Sequence, residues 1–176
     1  EIREAGGEAI ALQADVANSE SVTALVKQTV EKFGKVDILV NNAGITRDNL
    51  LLRMSEEDWD AVLDTNLKGP FVVAQLFLPL LKAAGGGSIV HTGSVSGQYG
   101  VPRTAHYAAS KAGLISLGQV IARFGAPFNI RSNIVAAGLI ASEMAAGGLA
   151  AASVQKAAET ILLKRMGTGQ DVADAV

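Results

Sequence analysis

The chain has 176 residues, 49% hydrophobic and 18% charged, with a net charge of −2, enough to bury one ordinary globular core but offering no basic surface for a phosphate backbone. With 5% aromatic residues it also lacks stacking platforms for single strands, so nucleic acid is excluded as an expected partner. The absence of cysteine removes disulfides, thiolate metal sites and cysteine nucleophiles, and no apolar run reaches the roughly eighteen residues of a membrane span, so a cytoplasmic location without a membrane partner is expected.

Taken in order, EIREAGG reads as the last turn of a helix stopped by Gly6 or Gly7. EAIALQADV follows as a short strand over Glu8 to Ala14. Asn18 or Ser19 can then cap a helix whose apolar face holds Val22, Leu25, Val26, Val30 and Phe33 and which ends at Gly34. VDILVNNAG is a second buried strand.

Ser55 opens the next helix, because its hydroxyl can cap it and Glu56, Glu57 and Asp58 suit its positive end. That helix is expected to run to Ala83, with a kink near Gly69 imposed by Pro70 and a second one at Pro79. GSIVHTGS is the third strand, YAASKAGLISLGQVIARF the next long helix and NIRSNIVA the fourth strand. An alanine- and glycine-rich stretch over Ala145 to Ala152, a helix around Ala151 to Ile161 and a helix beginning at Asp171 complete the chain. Nearly unbroken apolar strands alternating with helices predict one α/β domain over residues 1–176, a parallel sheet covered by helices on both sides.

The chemistry-bearing residues cluster in SVSGQYGVPRTAHYAASK, Ser94 to Lys111. Tyr107 and Lys111 are four apart, so on a helix they share a face. A free phenol has a pKa of about 10, and a neighbouring ammonium is expected to favour the phenolate. Ser94, at the C-terminal end of the third strand, can offer its hydroxyl to a substrate carbonyl. His91 and His106 lie on different elements and read as a strand residue and a helix-start residue rather than as metal ligands. TGSVSGQYG, with Gly93, Gly97 and Gly100, looks like a phosphate turn but follows the wrong strand and contains the serine, so no phosphate site is expected there.

Ser94, YAASKAG at Tyr107 to Gly113 and NNAG at Asn41 to Gly44 together resemble the short-chain dehydrogenase/reductase family. The stretch NNAGITRDNLLLRMSEEDWDAVLDTNLKG is similar to the family's 3-oxoacyl-(acyl-carrier-protein) reductases. The resemblance implies a Rossmann-like doubly wound sheet of order 3-2-1-4-5-6 extended by a seventh strand, whose first two strands and glycine-rich phosphate turn would precede Glu1 and whose last strand would follow Val176. The segment is therefore expected to be truncated at both ends, with the Glu8 strand lacking its neighbours.

The same resemblance implies roles. Tyr107 would pass a proton to a carbonyl oxygen as hydride arrives from the nicotinamide, Lys111 would tune it and hold the ribose, and Ser94 would polarise the carbonyl. Asn66 would hold a water that links the lysine to solvent. On the cofactor, Asp15 and Val16 would meet the adenine, Asn42, Ala43 and Gly44 would let backbone approach it, Ile140 would contact the carboxamide, and Ser142 stands where a threonine is usual.

Ala137-Gly138 replaces the family's Pro-Gly, and Thr104 replaces a glutamine beside the substrate. The expected activity is NADPH-dependent reduction of a 3-oxoacyl thioester, with NAD possible as cofactor. A sugar, steroid or small-alcohol dehydrogenase, or a non-catalytic scaffold, are the alternatives. The family further implies a homotetramer formed through the helices at 55–83 and 106–124, with Phe71, Leu76, Phe77, Leu80, Leu114, Leu117 and Ile121 as interface candidates.

Overall fold

The computed structural model describes residues 1–142, 156 and 158–176. The stretch at Ala145 to Ala152 and most of the helix expected around Ala151 to Ile161 fall outside the described residues.

The first helix, α1 (Ser19–Phe33), is capped at Asn18, whose side chain accepts from Ser21 N–H, and closes at Gly34 with φ 75°. That positive φ is where glycine costs least. It leads into β1 (Ile38–Asn41), after which α2 (Glu56–Leu63) starts from a Ser55 cap that accepts from Asp58 N–H at 3.1 Å.

The kink expected at Gly69 takes another form. Residues Asp64–Lys68 make a widened π turn, in which Gly69 N–H reaches back to Asp64 C=O, before α3 (Gly69–Ala83) continues. The cause is Pro70, which has no amide hydrogen and whose ring would strike a regular preceding turn. Widening the turn relieves both problems. Pro79 does not end α3.

The strands β2 (Gly87–Ser94) and β3 (Ile130–Ala137) flank α4 (Ala105–Gly125), and a short α5 (Gly169–Ala173) begins from a Thr168–Asp171 capping box. The box places the start of α5 two residues before the expected Asp171.

Among the described residues the sheet is three-stranded and parallel, in the order β1-β2-β3, with Asn41 opposite His91, His91 opposite Ile134 and Ser94 opposite Ala137. Leu39, Ile89 and Ile130 project to one face and join Val22, Val73, Phe77, Leu81 and Ile121 of α1, α3 and α4 in the core. Near the C-terminal strand ends the opposite face borders a cavity lined by Val40, Thr92 and Ala137 of the sheet and by Val172 and Ala173 of α5. The parallel sheet with its helices matches a Rossmann-like doubly wound fold.

Three expectations need correction. Residues Glu8 to Ala14 form no strand, since no neighbour is present to take their backbone groups; an exposed Arg3 guanidinium donates to Ala9 C=O instead. β1 is not buried throughout: it alternates, with Ile38 63% and Val40 42% exposed. Of the expected interface residues, Phe77, Leu114 and Ile121 are buried inside the chain, and Leu76, Leu80 and Leu117 pack partly against the same core. Their helical phase turns them inward, and Phe71, Val120 and Phe124 form the outward apolar surface of the two helices.

Candidate active site

Strand β2 ends at Ser94, which is buried and whose hydroxyl accepts from Ser96 N–H at 3.1 Å. Across from it, the first turns of α4 carry Tyr107 and Lys111 on one face, as their spacing predicts. The Ser94 hydroxyl lies near enough to the Tyr107 phenol to favour its ionised form. A carbonyl oxygen arriving between them would meet two O–H groups.

Lys111 behaves differently from expectation. Its ammonium donates to Thr92 C=O at 2.6 Å and lies 5.5 Å from the centroid of the Tyr107 ring. Burial lowers its pKa to about 8. The phenol is pushed up, not down: burial disfavours the phenolate and outweighs the nearby Ser94 hydroxyl, and the Asp48 charge adds to the rise. The resting site therefore holds a protonated phenol, the form that can donate. The expected drop in the phenol's pKa is not seen, because its burial raises the cost of the phenolate.

Asn66, wholly buried in the π turn, grips the loop after β1. Its Oδ1 accepts from Ile45 N–H at 2.8 Å while its Nδ2 donates to Ile45 C=O at 2.9 Å and to Ser110 Oγ at 3.2 Å. Ser110 in turn donates to Tyr107 C=O at 2.7 Å. One amide thus ties the loop beside the site to the backbone of the tyrosine. Both Nδ2 hydrogens are taken by protein partners, while Oδ1 keeps a second lone pair.

A cavity of about 700 Å³ opens beside these groups, lined by Asn42, Gly44, Tyr107, Lys111, Ile140 and Ser142 together with Thr92 and residues of α5. A Cβ on Gly44 would stand 3.3 Å from Asn66 Oδ1 and 3.7 Å from Lys111 Nζ, so side-chain-free backbone is what lets the loop approach the lysine. These residues fit the nicotinamide end of a dinucleotide. A second cavity of about 620 Å³ adjoins it through Ile140 and is lined by Ser94, Tyr99, Val101, Leu139, Ile161 and Leu163. Its apolar walls suit the body of a substrate.

Asp15, Val16 and Ala43 do not line the cavity. Asp15 closes its own turn by accepting from Ala17 N–H at 2.9 Å, and Val16 packs on Gly69, where an added Cβ would come within 2.9 Å of it. Gly97 is pressed against the Lys111–Ala112 backbone, with 2.6 Å from an added Cβ to Lys111 C. The absence of a side chain is what permits this close approach.

The sequence reading missed Thr92, whose hydroxyl donates to Asn42 Oδ1 at 2.9 Å and whose carbonyl holds the lysine. The signal was available, since Thr92 lies two residues before Ser94 and shares its side of the strand. It also missed Ser110 and the part played by His106, whose partners lie far along the chain. Ser132, without an explanation in the sequence, is buried and its hydroxyl has no partner. No cluster of His, Asp or Glu that could hold a metal occurs among the described residues.

A parallel sheet with a serine, a phenol and a lysine at its C-terminal edge, beside an open cleft, is the arrangement of a dehydrogenase or reductase of carbonyl and hydroxyl groups. The family model described as "Enoyl-(Acyl carrier protein) reductase" matches residues 1–176. The 3-oxoacyl-(acyl-carrier-protein) reductase FabG of Staphylococcus epidermidis is 44% identical over all of this chain and 72% of its own length. The 3-oxoacyl-(acyl-carrier-protein) reductase of a Synechocystis strain is 43% identical over 97% of this chain and 68% of its own. A crystal structure titled as a short-chain alcohol dehydrogenase, from Sinorhizobium meliloti, superposes with a TM-score of 0.93 at 34% identity over 99% of this chain and 69% of that one.

The chain belongs to the short-chain dehydrogenase/reductase family and is an NAD(P)-dependent oxidoreductase acting on CH–OH and C=O groups. Within the family it is similar to the 3-oxoacyl-(acyl-carrier-protein) reductases.

Proposed function

We propose that the protein reduces the 3-oxo group of a carrier-bound acyl thioester to the 3-hydroxy form, with NADPH as the preferred cofactor, in the cytoplasm. The observation that carries this reading is the placement of the Tyr107 phenol, kept protonated by burial, and the Ser94 hydroxyl on the walls of two cavities that adjoin at Ile140. When bound, the nicotinamide supplies hydride to the carbonyl carbon.

The chain's own residues do the rest. Ser94 O–H polarises the carbonyl oxygen, and Tyr107 O–H delivers the proton to that oxygen as negative charge develops there. Lys111, cationic below its lowered pKa of about 8, offsets the charge left on the phenolate and offers hydrogens to a ribose. Asn42, Gly44, Ile140 and Ser142 wall the nicotinamide end, and Asn66 holds the loop that carries two of them. Asp15, Val16 and Ala43, outside the cavity, are assigned to the adenosine side on resemblance alone.

The family model is described by enoyl reduction, whereas the curated relatives named above are 3-oxoacyl reductases. The paired hydroxyls favour the latter, since they serve an oxygen that must be protonated. Purified protein given acetoacetyl thioester should oxidise NADPH faster than NADH and should leave crotonyl thioester untouched. Turnover of the enoyl substrate alone would overturn the proposal.

Assembly as a homotetramer through α2–α3 and α4 is part of the same reading. Its support is Phe71 at 47%, Val120 at 57% and Phe124 at 57% exposure on those helices.

A further inference from the structure

The start of α4 lacks an ordinary cap. Thr104, at the N-cap position, makes no side-chain cap bond, and its hydroxyl donates to Val101 C=O at 2.8 Å. The first amides of a helix have no partner within it. One of them is Tyr107 N–H, and it is taken by His106: the Nδ1 of the imidazole accepts from Tyr107 N–H at 2.7 Å. With Nδ1 an acceptor, the ring hydrogen sits on Nε2, which faces Arg47 C=O at 2.9 Å. The ring is wholly buried. An imidazolium has no acceptor, so the two contacts together specify one neutral tautomer.

The loop on the far side of this ring borders the catalytic groups. Ile45 is gripped by Asn66, Arg47 by His106, and Asn49 N–H by Arg103 C=O at 3.0 Å. Arg103 has φ 73°, a left-handed conformation that a non-glycine residue adopts at a cost, and there its carbonyl serves Asn49. The same loop carries Asp48, whose charge reaches the Tyr107 phenol. Tyr107 is thereby held at both backbone ends, its N–H by His106 and its C=O by Ser110.

We propose that His106 is a positioning residue for Tyr107, a neutral strut that sets the first turn of α4, and with it the phenol, against the loop at 45–49. This rests on the reading of Tyr107 as the proton donor. Misplacing a reacting group by about 1 Å can cost on the order of a hundredfold in rate, so loosening the strut acts on turnover rather than on cofactor affinity.

Two conservative replacements separate its bonds. His106→Asn puts an acceptor where Nδ1 stands but cannot reach Arg47, and His106→Gln puts a donor where Nε2 stands but leaves Tyr107 N–H open. His106→Ala is expected to lower kcat by about tenfold or more with KM for the cofactor changed less than about twofold, and each conservative variant should recover part of the loss. An unchanged kcat in all three, a loss confined to KM, or Asn and Gln variants no better than Ala would overturn the strut. If the alanine variant does not fold, the Asn and Gln variants are compared with wild type by the same criteria.

Nitrogen-15 shifts of the His106 ring in the wild-type protein test the strut without any turnover: a neutral ring protonated at Nε2 is expected, and an imidazolium or an Nδ1-protonated ring would overturn it. An inactive wild type would strike the reading of Tyr107 as donor, and the ring shifts would still decide whether the strut exists.

Discussion

The ammonium of Lys111 donates to the carbonyl of Thr92 at 2.6 Å, while the phenol it is spaced to serve stays protonated 5.5 Å away from ring centroid to nitrogen. Sharing a helix face brought the two side chains close, and the strand opposite decided which atom the lysine touches. The lysine thus enters the reaction as a held positive charge and a ribose contact, and the phenol as an acid.

Tyr107→Phe removes the proton donor. Its rate of carbonyl reduction is expected to fall by a factor of roughly 10² to 10⁴, the usual scale of general acid catalysis. Circular dichroism should show an unchanged fold. Retention of wild-type turnover would remove the phenol from the mechanism.

Asn66→Ala strips both bonds from Ile45 and one from Ser110 in a buried setting. Leaving such groups unpaired costs about 1 to 3 kcal/mol each, so urea unfolding should reveal a loss of at least that size, and kcat should fall as the loop loosens. A midpoint equal to wild type would mean that the loop is held by other contacts.

His91 governs stability in acid. It is wholly buried, its Nδ1 accepts from Asn41 Nδ2 at 3.3 Å, and its Nε2 has no partner among the described residues. Burial, with Lys111 nearby, lowers its pKa to about 4 from 6.5. The unfolded chain therefore binds this proton first. Unfolding free energy should be highest above pH 6.5 and decline as the pH falls toward 4, by about 3 kcal/mol from this group. His91→Leu should flatten that decline, and an equally steep acid limb in the variant would exonerate His91.

Gly97→Ala distinguishes packing from phosphate binding. The new methyl would meet backbone atoms of Lys111 and Ala112 at 2.6 and 2.7 Å, and backbone cannot swing aside. Overpacking should cost about 1 to 3 kcal/mol in denaturant titration. Normal stability with a raised KM for the cofactor would instead make the turn a phosphate contact.

Val120→Glu places a charge at the centre of the outward apolar surface of α4, where Val120 and Phe124 are each 57% exposed. Light scattering should show a smaller assembly than wild type, with the monomer still folded because the residue takes no part in the core. An unchanged mass would move the subunit contact elsewhere.

Local patterns in the chain were sufficient for several helix ends and for the succession of β1, β2 and β3 between helices. Asn18 and Gly34 bound α1, Ser55 starts α2, and the four-residue step from Tyr107 to Lys111 puts both on one face, because caps, breakers and periodicity act within a turn or two of the residue concerned. The strand pattern at Glu8 to Ala14 shows the limit of such signals, since a strand exists only through a partner.

Tertiary structure alone decided the site's electrostatics and its anchors. Asn66 meets Ile45 across 21 residues, His106 meets Arg47 across 59, and Lys111 meets Thr92 across 19. No local period carries such pairings. The phenol's raised pKa follows from the same cause: a charge's cost depends on what surrounds it in space, and the packing of α4 on β2, not the order of residues, removes the water that would have stabilised a phenolate.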